Sequence, residues 1–416
     1  MEILQNQSSC QEASHAERRL VACIDRTIIG TKKNLIIDGE TLSWSDGRPD
    51  DAWSLDDVGE LSIKTLARLE HKTIETEPPK AFVNAIRSLT HENVPWRHVL
   101  PREVHKKFVN ALTKDVLNIL STADMNYVKT VWRSGTRVLG ALQPAKIDVN
   151  ELARIVTSGE GNQPAVKSFF PDARWFAPPI VYDRFGTRTG RLTVRSGPQV
   201  LTLKREHRAA LITPRFKDGS IFELDMSSLE PRILLKTLGR PCEDEDLYAT
   251  VNDVVFNGRA PRDDVKRAVI SRIYGTSKRS LKKRLIGSSI VDIDAFIDEI
   301  SRSFDTTQLV KEKREEFERC GWITNAFGRK ILIEVPIDRM FVNSYCQSTG
   351  ADVAMLGFDQ LLSKFEGRII VPLYLIMDAM IVDVDPQHVE FVRSIDHVVV
   401  DGTKYPLKVK EIVNDR

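Results

Sequence analysis

The feature that most constrains this chain is a short apolar run that ends on a carboxylate. The run Ile221–Leu224 predicts a buried strand, and Asp225 follows it directly, before a turn at two serines. The same stretch then offers Glu230 and Arg232. A carboxylate at the end of a strand is held rigidly and still reaches solvent, which a metal-binding acid requires. Because most aspartates after strands serve in turns or caps, Asp225 is a candidate that needs support from elsewhere in the chain.

Composition sets the size and class of the protein. The 416 residues, 42% of them hydrophobic, are enough for two or three domains or for one large multi-lobed enzyme. The formal net charge of +2 does not identify a polyanionic partner, so local charge has to be considered instead. The five cysteines are scattered without a C-x-x-C motif, which argues against a disulfide framework or a zinc site and favours a reducing compartment.

The sequence has no pattern typical of a membrane anchor. Residues 1–20 are polar and lack the apolar segment of a signal peptide. The longest apolar run, Ile369–Met377, is too short to cross a bilayer. We therefore expect a cytoplasmic protein with no membrane partner.

The N-terminal part of the chain carries few chemical signals. Two apolar runs, Leu20–Ile24 and Leu35–Ile37, predict strands with a turn at Asp38-Gly39. Asp25 and Asp38 each follow one of these apolar runs. We interpret residues 1–78 as an accessory segment.

A Pro-Pro break at 78–79 is followed by helical periodicity from Lys80 to Leu142. Three lysines lie on or near the polar side of this pattern: Lys106, Lys107 and Lys114. They are either a solvated helical face or a grip on a nucleic-acid backbone. A solvated face is the more ordinary interpretation for each lysine.

The stretch from Arg184 to Arg205 has a local charge of +6 and no acid. Its centre, Thr187–Thr193, combines arginine with glycine and small hydroxyl residues, which suits close approach to phosphates and sugar edges. A basic β-hairpin with no ligand explains the stretch equally well.

The segment 261–275 predicts a helix with an ordered face. Pro261 suits the first helical position, and two aspartates favour the first turn. Arg262, Lys266, Ile270 and Tyr274 are spaced by four, so they share one face that runs from cations to an aromatic ring. That order matches a nucleoside triphosphate laid along a helix. A cationic surface helix is the alternative; it explains the local charge of +8 between residues 259 and 284 but not the order of the face.

The C-terminal part supplies a second carboxylate and a row of polar side chains. Arg339, Asn343 and Gln347 are spaced by four on a predicted helix, where they are either minor-groove contacts or buried amides bonded to backbone. Apolar runs on both sides of Asp378 predict a tight hairpin, 371–384, with this acid at its tip.

Together these segments resemble the family A DNA polymerases, the family of bacterial polymerase I and several phage replicases. The resemblance covers roughly residues 80 to 416 and depends on motifs in a fixed order. The stretch 224–232 resembles motif A, D-Y-S-Q-I-E-L-R, and 262–275 resembles motif B, R-x3-K-x3-F/Y-x3-Y-G. Met377-Asp378-Ala379 falls where motif C has H-D-E. Three shorter segments, residues 189–192, 246–248 and 347–352, resemble the family's T-G-R-L, D-I-H and Q-G-T-A-A-D.

The resemblance implies an α+β right-hand fold with a helical thumb, an antiparallel-sheet palm and helical fingers. It divides the chain into an accessory segment (1–78), thumb and palm entry (79–183), palm with motif A (184–240), fingers (241–305) and palm with motif C (306–416). It also implies a compact, phage-type enzyme without a proofreading exonuclease domain, for which residues 1–78 are too few.

The family's functional residues carry over to matching positions. The resemblance assigns two Mg²⁺ ions, with Mn²⁺ as a substitute, to Asp225, Asp378 and the Met226 carbonyl. It implies that the nucleotide contacts Arg262, Lys266 (also a catalytic residue), Ile270, Tyr274, Tyr248 and Glu230, the last excluding a ribose 2′-hydroxyl. It implies that primer-template DNA contacts Arg191, Gly275, Arg339, Asn343 and Gln347.

The predicted function is template-directed DNA synthesis from dNTPs by a monomer, with replication accessory proteins as further partners and the host cytoplasm as its location if the source is viral. Motif C departs from the family at Met377 and Ala379, motif B at Ile270, and motif A at Met226 and Pro231. These departures leave an alternative: a polymerase-like protein that binds primer-template with weak or no synthesis. An RNA polymerase is disfavoured by Glu230, because a small residue there would admit ribose.

Overall fold

We describe the protein from a computed structural model in which residues 21–38, 41–49, 52–55, 62–89, 96–240, 242–286, 290 and 292–412 are described. The chain divides into two compact units, Met1–Met125 and Asn126–Arg416. This boundary falls inside the segment 79–183, and the finer division into thumb, palm and fingers stays a prediction. Among the described residues, no helix has the length and hydrophobicity to span a membrane.

The first unit contains a four-stranded sheet built from β1 (Val21–Ile24), β2 (Asn34–Asp38), β3 (Thr41–Ser45) and β4 (Trp53–Ser54). The order is β3-β2-β1-β4, with β4 parallel to β1 and the other pairs antiparallel. Its helices are α1 (Arg26–Ile29), α2 (Ile63–Leu69), α3 (Lys80–Leu89), α4 (Trp96–Val99) and α5 (Arg102–Thr122). The two predicted strands are confirmed, while Gly39 of the predicted turn lies outside the described residues.

The second unit begins with helices and short strands. These are α6 (Met125–Tyr127), a π-helical segment (Val128–Trp132), α7 (Arg133–Ala141), β5 (Lys146–Ile147), α8 (Val149–Ser158), α9 (Gln163–Lys167), β6 (Val181–Asp183), β7 (Thr193–Ser196), α10 (Arg205–Leu211) and β8 (Ile212–Thr213). Strands β6 and β7 pair as a hairpin whose loop carries the Thr-Gly-Arg-Leu segment.

The remaining elements of the second unit form its main sheet and the helices around it. They are β9 (Ser220–Met226), α11 (Leu229–Thr237), α12 (Leu247–Phe256), α13 (Arg262–Ile273), α14 (Lys278–Leu285), α15 (Ile293–Ser303), α16 (Thr307–Cys320), β10 (Trp322–Thr324), β11 (Lys330–Leu332), α17 (Asp338–Phe365), β12 (Ile370–Ile376), β13 (Ala379–Val384), a 3₁₀ turn (Pro386–His388), α18 (Val389–Arg393), β14 (His397–Val400) and β15 (Thr403–Glu411).

The main sheet is antiparallel, in the order β12-β13-β9-β15-β14. Strand β9 lies at its centre. Its side chains Phe222, Leu224 and Met226 are apolar and buried, which suits a central strand. Since successive side chains of a strand point to opposite faces, Glu223 and Asp225 lie on the other face. The α+β class and the antiparallel sheet therefore agree with the prediction.

Helix α13 differs from the prediction at its start. Pro261 is the N-cap, with extended backbone, and Arg262 is the first helical residue. The shift moves the boundary by one residue only, and proline suits both positions because neither requires its missing N–H. The spacing of the four residues on the predicted face is unchanged.

Candidate active site

Two carboxylates lie at the same end of neighbouring strands. Asp225 is the next-to-last residue of β9, and Asp378 stands in the two-residue turn between β12 and β13. Asp225 is opposite Ala379 in the β9–β13 pair, and the Met226 N–H donates to the Asp378 carbonyl at 3.0 Å. The antiparallel register thus brings together two acids that are far apart in sequence.

The electrostatics of this pair favour a cation. Burial, then the charges of Asp378 and Glu223, raise the pKa of Asp225 to about 7, although Arg205 and Lys408 act in the opposite direction. Burial is also the main cause that raises the pKa of Asp378. Raised pKa values mean that the ionised carboxylates are poorly compensated by the protein. Oxygen donors of this kind fit Mg²⁺ or Mn²⁺, which bind carboxylates and keep several waters.

The pKa of Asp225 predicts a pH-dependent stability in the metal-free protein. Its folded-state value of about 7 exceeds the unfolded value of about 3.9. Ionisation therefore destabilises the folded state increasingly as pH rises from about 4 to about 7. We expect Asp225→Asn to raise stability at pH 8 by about 1–2 kcal/mol, after allowance for partial exposure, and to have no effect at pH 4.

Thermal unfolding in EDTA at both pH values tests this expectation. Asp385→Asn is the matched control, because Asp385 caps the 3₁₀ turn and asparagine caps equally well. An Asp225→Asn effect of equal size at pH 4 and pH 8 would contradict the assignment.

Glu230 joins three segments of the chain. It lies in the first turn of α11, forms an ion pair with Arg191 and accepts a hydrogen bond from the Tyr274 hydroxyl. Burial and this hydrogen bond raise the pKa of Tyr274. Sequence spacing could not predict these contacts, because the three residues come from separate elements.

A pocket of about 60 Å³ adjoins this cluster. It is lined by Gly190, Arg191, Leu192, Leu229, Glu230, Gln347, Gly350, Ala351, Met355, Met377 and Asp378. Met377 is 54% exposed and has a φ of +57°, an uncommon conformation for a non-glycine residue. The pocket therefore brings the second carboxylate together with predicted nucleotide and DNA contacts.

The predicted face of α13 is present. Arg262, Lys266 and Tyr274 are exposed, and Ile270 is half-buried. Buried Tyr248 of α12 lies beside both cations, with its ring centroid 5.5 Å from Arg262 Cζ and 5.9 Å from Lys266 Nζ. The order of the face, cations first and aromatic last, is thus retained in three dimensions.

Arg262 already has an anionic partner within the protein. Its Nε donates to Asp246 Oδ2 at 2.5 Å. Asp246 also caps α12 by accepting from the Tyr248 and Ala249 N–H groups. The hydrogen bond with Arg262 helps to keep the pKa of Asp246 low, against the opposing effect of burial.

Helix α17 presents the predicted polar row. Arg339 is exposed, and Gln347 lines the pocket near Asp378. Asn343 Oδ1 is buried and has no hydrogen-bond partner among the described residues, so the alternative of a backbone-satisfied amide does not apply to that atom. Gly275 has a φ of +64°, and an added Cβ would overlap the Arg339 side chain, so only glycine allows this close approach.

The basic stretch 184–205 is not a free cationic surface. Arg184 is buried against the Trp132 ring, Arg188 pairs with Glu334, and Arg205 pairs with Glu223. The local charge of +6 is therefore partly balanced by acids distant in sequence. These pairings depend on the fold and are not visible in the spacing of the arginines.

Arg232 of motif A does not face the site. It is fully buried and donates to the carbonyls of Ser227, Cys242 and Glu245. These bonds tether the turn after β9 to the segment that precedes α12. Arg232 is thus a structural residue of the loop that follows Asp225.

Comparisons with known proteins support the fold. Neither a family model nor a curated protein matches the sequence. The structure is similar to the POL domain of Pol1 from M. smegmatis, solved in complex with DNA primer-template and dNTP, with a TM-score of 0.52 at 14% sequence identity. The match covers 85% of this chain and 78% of that chain. The similarity concerns the fold, which in this chain is a mixed α+β arrangement around an antiparallel sheet.

Proposed function

We propose that this chain is a template-directed DNA polymerase of the family A type, which adds dNTPs to a primer 3′ end. The observation that carries the proposal is the position of Asp225 and Asp378 at adjacent strand ends, within a fold shared with a POL domain. That neighbour was solved with primer-template and dNTP, which are the ligands we propose here. The thumb, palm and fingers assignments belong to the same proposal.

The two carboxylates are the proposed holders of two Mg²⁺ ions, with the Met226 carbonyl as a further ligand. Such ions, when bound, activate the primer 3′-oxygen and neutralise the leaving pyrophosphate. Phosphoryl transfer needs positioning and charge neutralisation more than covalent chemistry, so the remaining side chains act by binding and orienting. The raised pKa of Asp225 supports the proposal, because a bound cation would offset the cost of ionising both acids.

The exposed face of α13 is the proposed nucleotide site. Arg262 and Lys266 would bind the triphosphate, with Tyr248 packed beside them. Ile270 and Tyr274 would lie along the sugar and base. Their order along one helix face is the support for this assignment.

Primer-template contacts are proposed for the residues around the pocket and on α17. They are Arg191, Gly275, Arg339, Asn343 and Gln347. Guanidinium and amide groups can reach minor-groove acceptors, which are similar in all base pairs and so suit an enzyme that copies any sequence. The unpartnered Asn343 oxygen supports a ligand-binding role for that residue.

A primer-extension assay tests the function. A folded polymerase extends a primed template with dNTPs and Mg²⁺ and incorporates NTPs poorly. The second candidate is a protein that binds primer-template without synthesis, favoured by Met377 and Ala379 in place of the family's His and Glu. Binding without extension in Mg²⁺ or Mn²⁺ would support that candidate, and efficient use of NTPs would indicate an RNA polymerase.

Glu230→Ala should raise ribonucleotide incorporation relative to deoxyribonucleotide incorporation. The physical reason is that the Glu230 side chain, held between Arg191 and Tyr274, would occupy the space of a 2′-hydroxyl. Competition between dNTP and NTP in single-nucleotide extension measures the ratio, and we expect a change of roughly 10-fold or more.

Glu230→Gln is the matched control, because it keeps the size of the side chain and an oxygen that can accept the hydrogen bond from Arg191. We expect it to retain most of the discrimination. If both nucleotide classes slow equally in Glu230→Ala, the residue is structural and does not select the sugar.

A further inference from the structure

A network of buried polar side chains lies beside the β6–β7 loop. Asp352 of α17 accepts hydrogen bonds from Asn325 Nδ2 at 2.6 Å and from the Tyr127 hydroxyl at 3.1 Å. Arg329, in the β10–β11 hairpin, donates to the Tyr127 hydroxyl and to the Arg184 carbonyl, both at 3.2 Å. Each of these five side chains is at most 9% exposed. The network is therefore internal to the fold, and its members are not placed to touch DNA or nucleotide.

Burial and charge act in opposite directions on the pKa values of the ionisable groups in this network. Burial lowers the pKa of Arg184 to about 10, with Asp352 acting in the opposite direction. Burial raises the pKa of Asp352, against the opposing charge of Arg329. Arg184 also has its own support, since it lies over the Trp132 ring and donates to the Trp132 carbonyl at 2.8 Å. The Arg329 guanidinium, in contrast, is held by hydrogen bonds to the Tyr127 hydroxyl and the Arg184 carbonyl, and the charge of Asp352 favours its protonated form.

Arg329 contacts the loop at a position where only glycine fits. An added Cβ at Gly190 would overlap the Arg329 guanidinium, and Gly190 has a φ of +80°. Gly190 directly precedes Arg191, which pairs with Glu230. The backbone that packs against Arg329 is thus the backbone that directs Arg191.

We propose that Arg329 is a positioning residue for the active site, which acts through Gly190 to hold Arg191 against Glu230. Tyr127, itself hydrogen-bonded to Asp352, fixes the guanidinium, and the guanidinium fixes the position of the Gly190 backbone. The proposal rests on the proposed polymerase function, in which Glu230 selects the sugar and Arg191 contacts the primer-template. It assigns Arg329 no contact with substrate.

A double-mutant cycle with Arg329→Lys and Arg191→Ala tests the proposal. Lysine keeps the charge but lacks the planar fork that packs against Gly190. We expect Arg329→Lys alone to reduce discrimination against ribonucleotides roughly 10-fold, a size usual for coupled residues in one network. In the Arg191→Ala background the same substitution should change nothing further. Independent, multiplicative losses in the double variant would overturn the proposal.

Arg184→Lys is the matched control. Arg184 is a second buried arginine of the same network, but its guanidinium donates to the Trp132 and Val131 carbonyls and is not among the atoms that an added Cβ at Gly190 would meet. We expect Arg184→Lys to lower the unfolding temperature and to leave the discrimination ratio at the wild-type value. Equal loss of discrimination in both lysine variants would mean that the network acts by general stability alone, which would overturn the proposal.

Two further measurements keep the proposal testable if Arg329→Lys folds poorly or if the wild-type chain does not extend primers. Gly190→Ala forces the loop away from an intact Arg329 and should reduce discrimination in the same way; wild-type kinetics in that variant would overturn the proposal. Urea unfolding of the Arg329→Lys and Arg191→Ala cycle needs no activity, and additive effects on stability there would also overturn it. Wild-type protein that never extends a primer would refute the proposed function separately, because the unfolding cycle still reports the coupling.

Discussion

Asp225→Asn and Asp378→Asn are each expected to abolish Mg²⁺-dependent primer extension while the proteins stay folded. The two acids lie at adjacent strand ends, and asparagine keeps their size but removes the charge that would bind a divalent cation. Loss of metal-dependent charge stabilisation worth several kcal/mol corresponds to a rate loss of roughly 1000-fold or more. Single-turnover extension in Mg²⁺ and in Mn²⁺ measures the loss.

Circular dichroism and primer-template affinity serve as the folding checks for these variants. Asp385→Asn, at the far end of β13, is the activity control and should extend primers at the wild-type rate. Rapid extension by folded Asp378→Asn protein would mean that the catalytic acids lie elsewhere.

Lys266→Ala is expected to impair nucleotide use strongly and to leave duplex binding nearly intact. Lys266 is exposed on α13, so its removal leaves the helix packing undisturbed. Loss of a charged hydrogen bond to a phosphate typically costs about 1.5 to 3 kcal/mol, or roughly 10- to 100-fold. Steady-state kinetics with varied dNTP, together with primer-template affinity, separate the two effects.

Arg267→Ala is the control on the same helix, because Arg267 is next in sequence but pairs with Asp264 at 3.3 Å. It should leave dNTP kinetics unchanged. If Lys266→Ala behaves like Arg267→Ala, the ordered face of α13 is a solvated surface and not a nucleotide site.

Local patterns predicted the strands that carry the two acids, because apolar runs of strand length were visible in the sequence. The run before Asp225 is apolar enough to require a strand, and the runs around Asp378 could form only a hairpin. The register that joins them depends on long-range pairing of β9 with β13, which the sequence does not encode locally.

Charge was the least predictable property. Arg184, from the basic stretch, and Arg329 are both buried, since arginine can be enclosed when its N–H groups and charge find partners. The ion pair of Arg191 with Glu230 joins a loop to a helix 39 positions away. Residue type and spacing alone cannot distinguish such arginines from solvated ones.

The ion pair between Arg262 and Asp246 has a consequence for ligand entry. Both side chains are about half exposed, at 50% and 41%, so the pair is worth only about 0–1 kcal/mol. A triphosphate that binds at α13 would replace Asp246 as the anionic partner of Arg262 at nearly constant free energy. Asp246 would then keep the Arg262 guanidinium ordered in the absence of nucleotide. It would compete with monovalent anions for Arg262 and would be displaced by a polyanion with several charges.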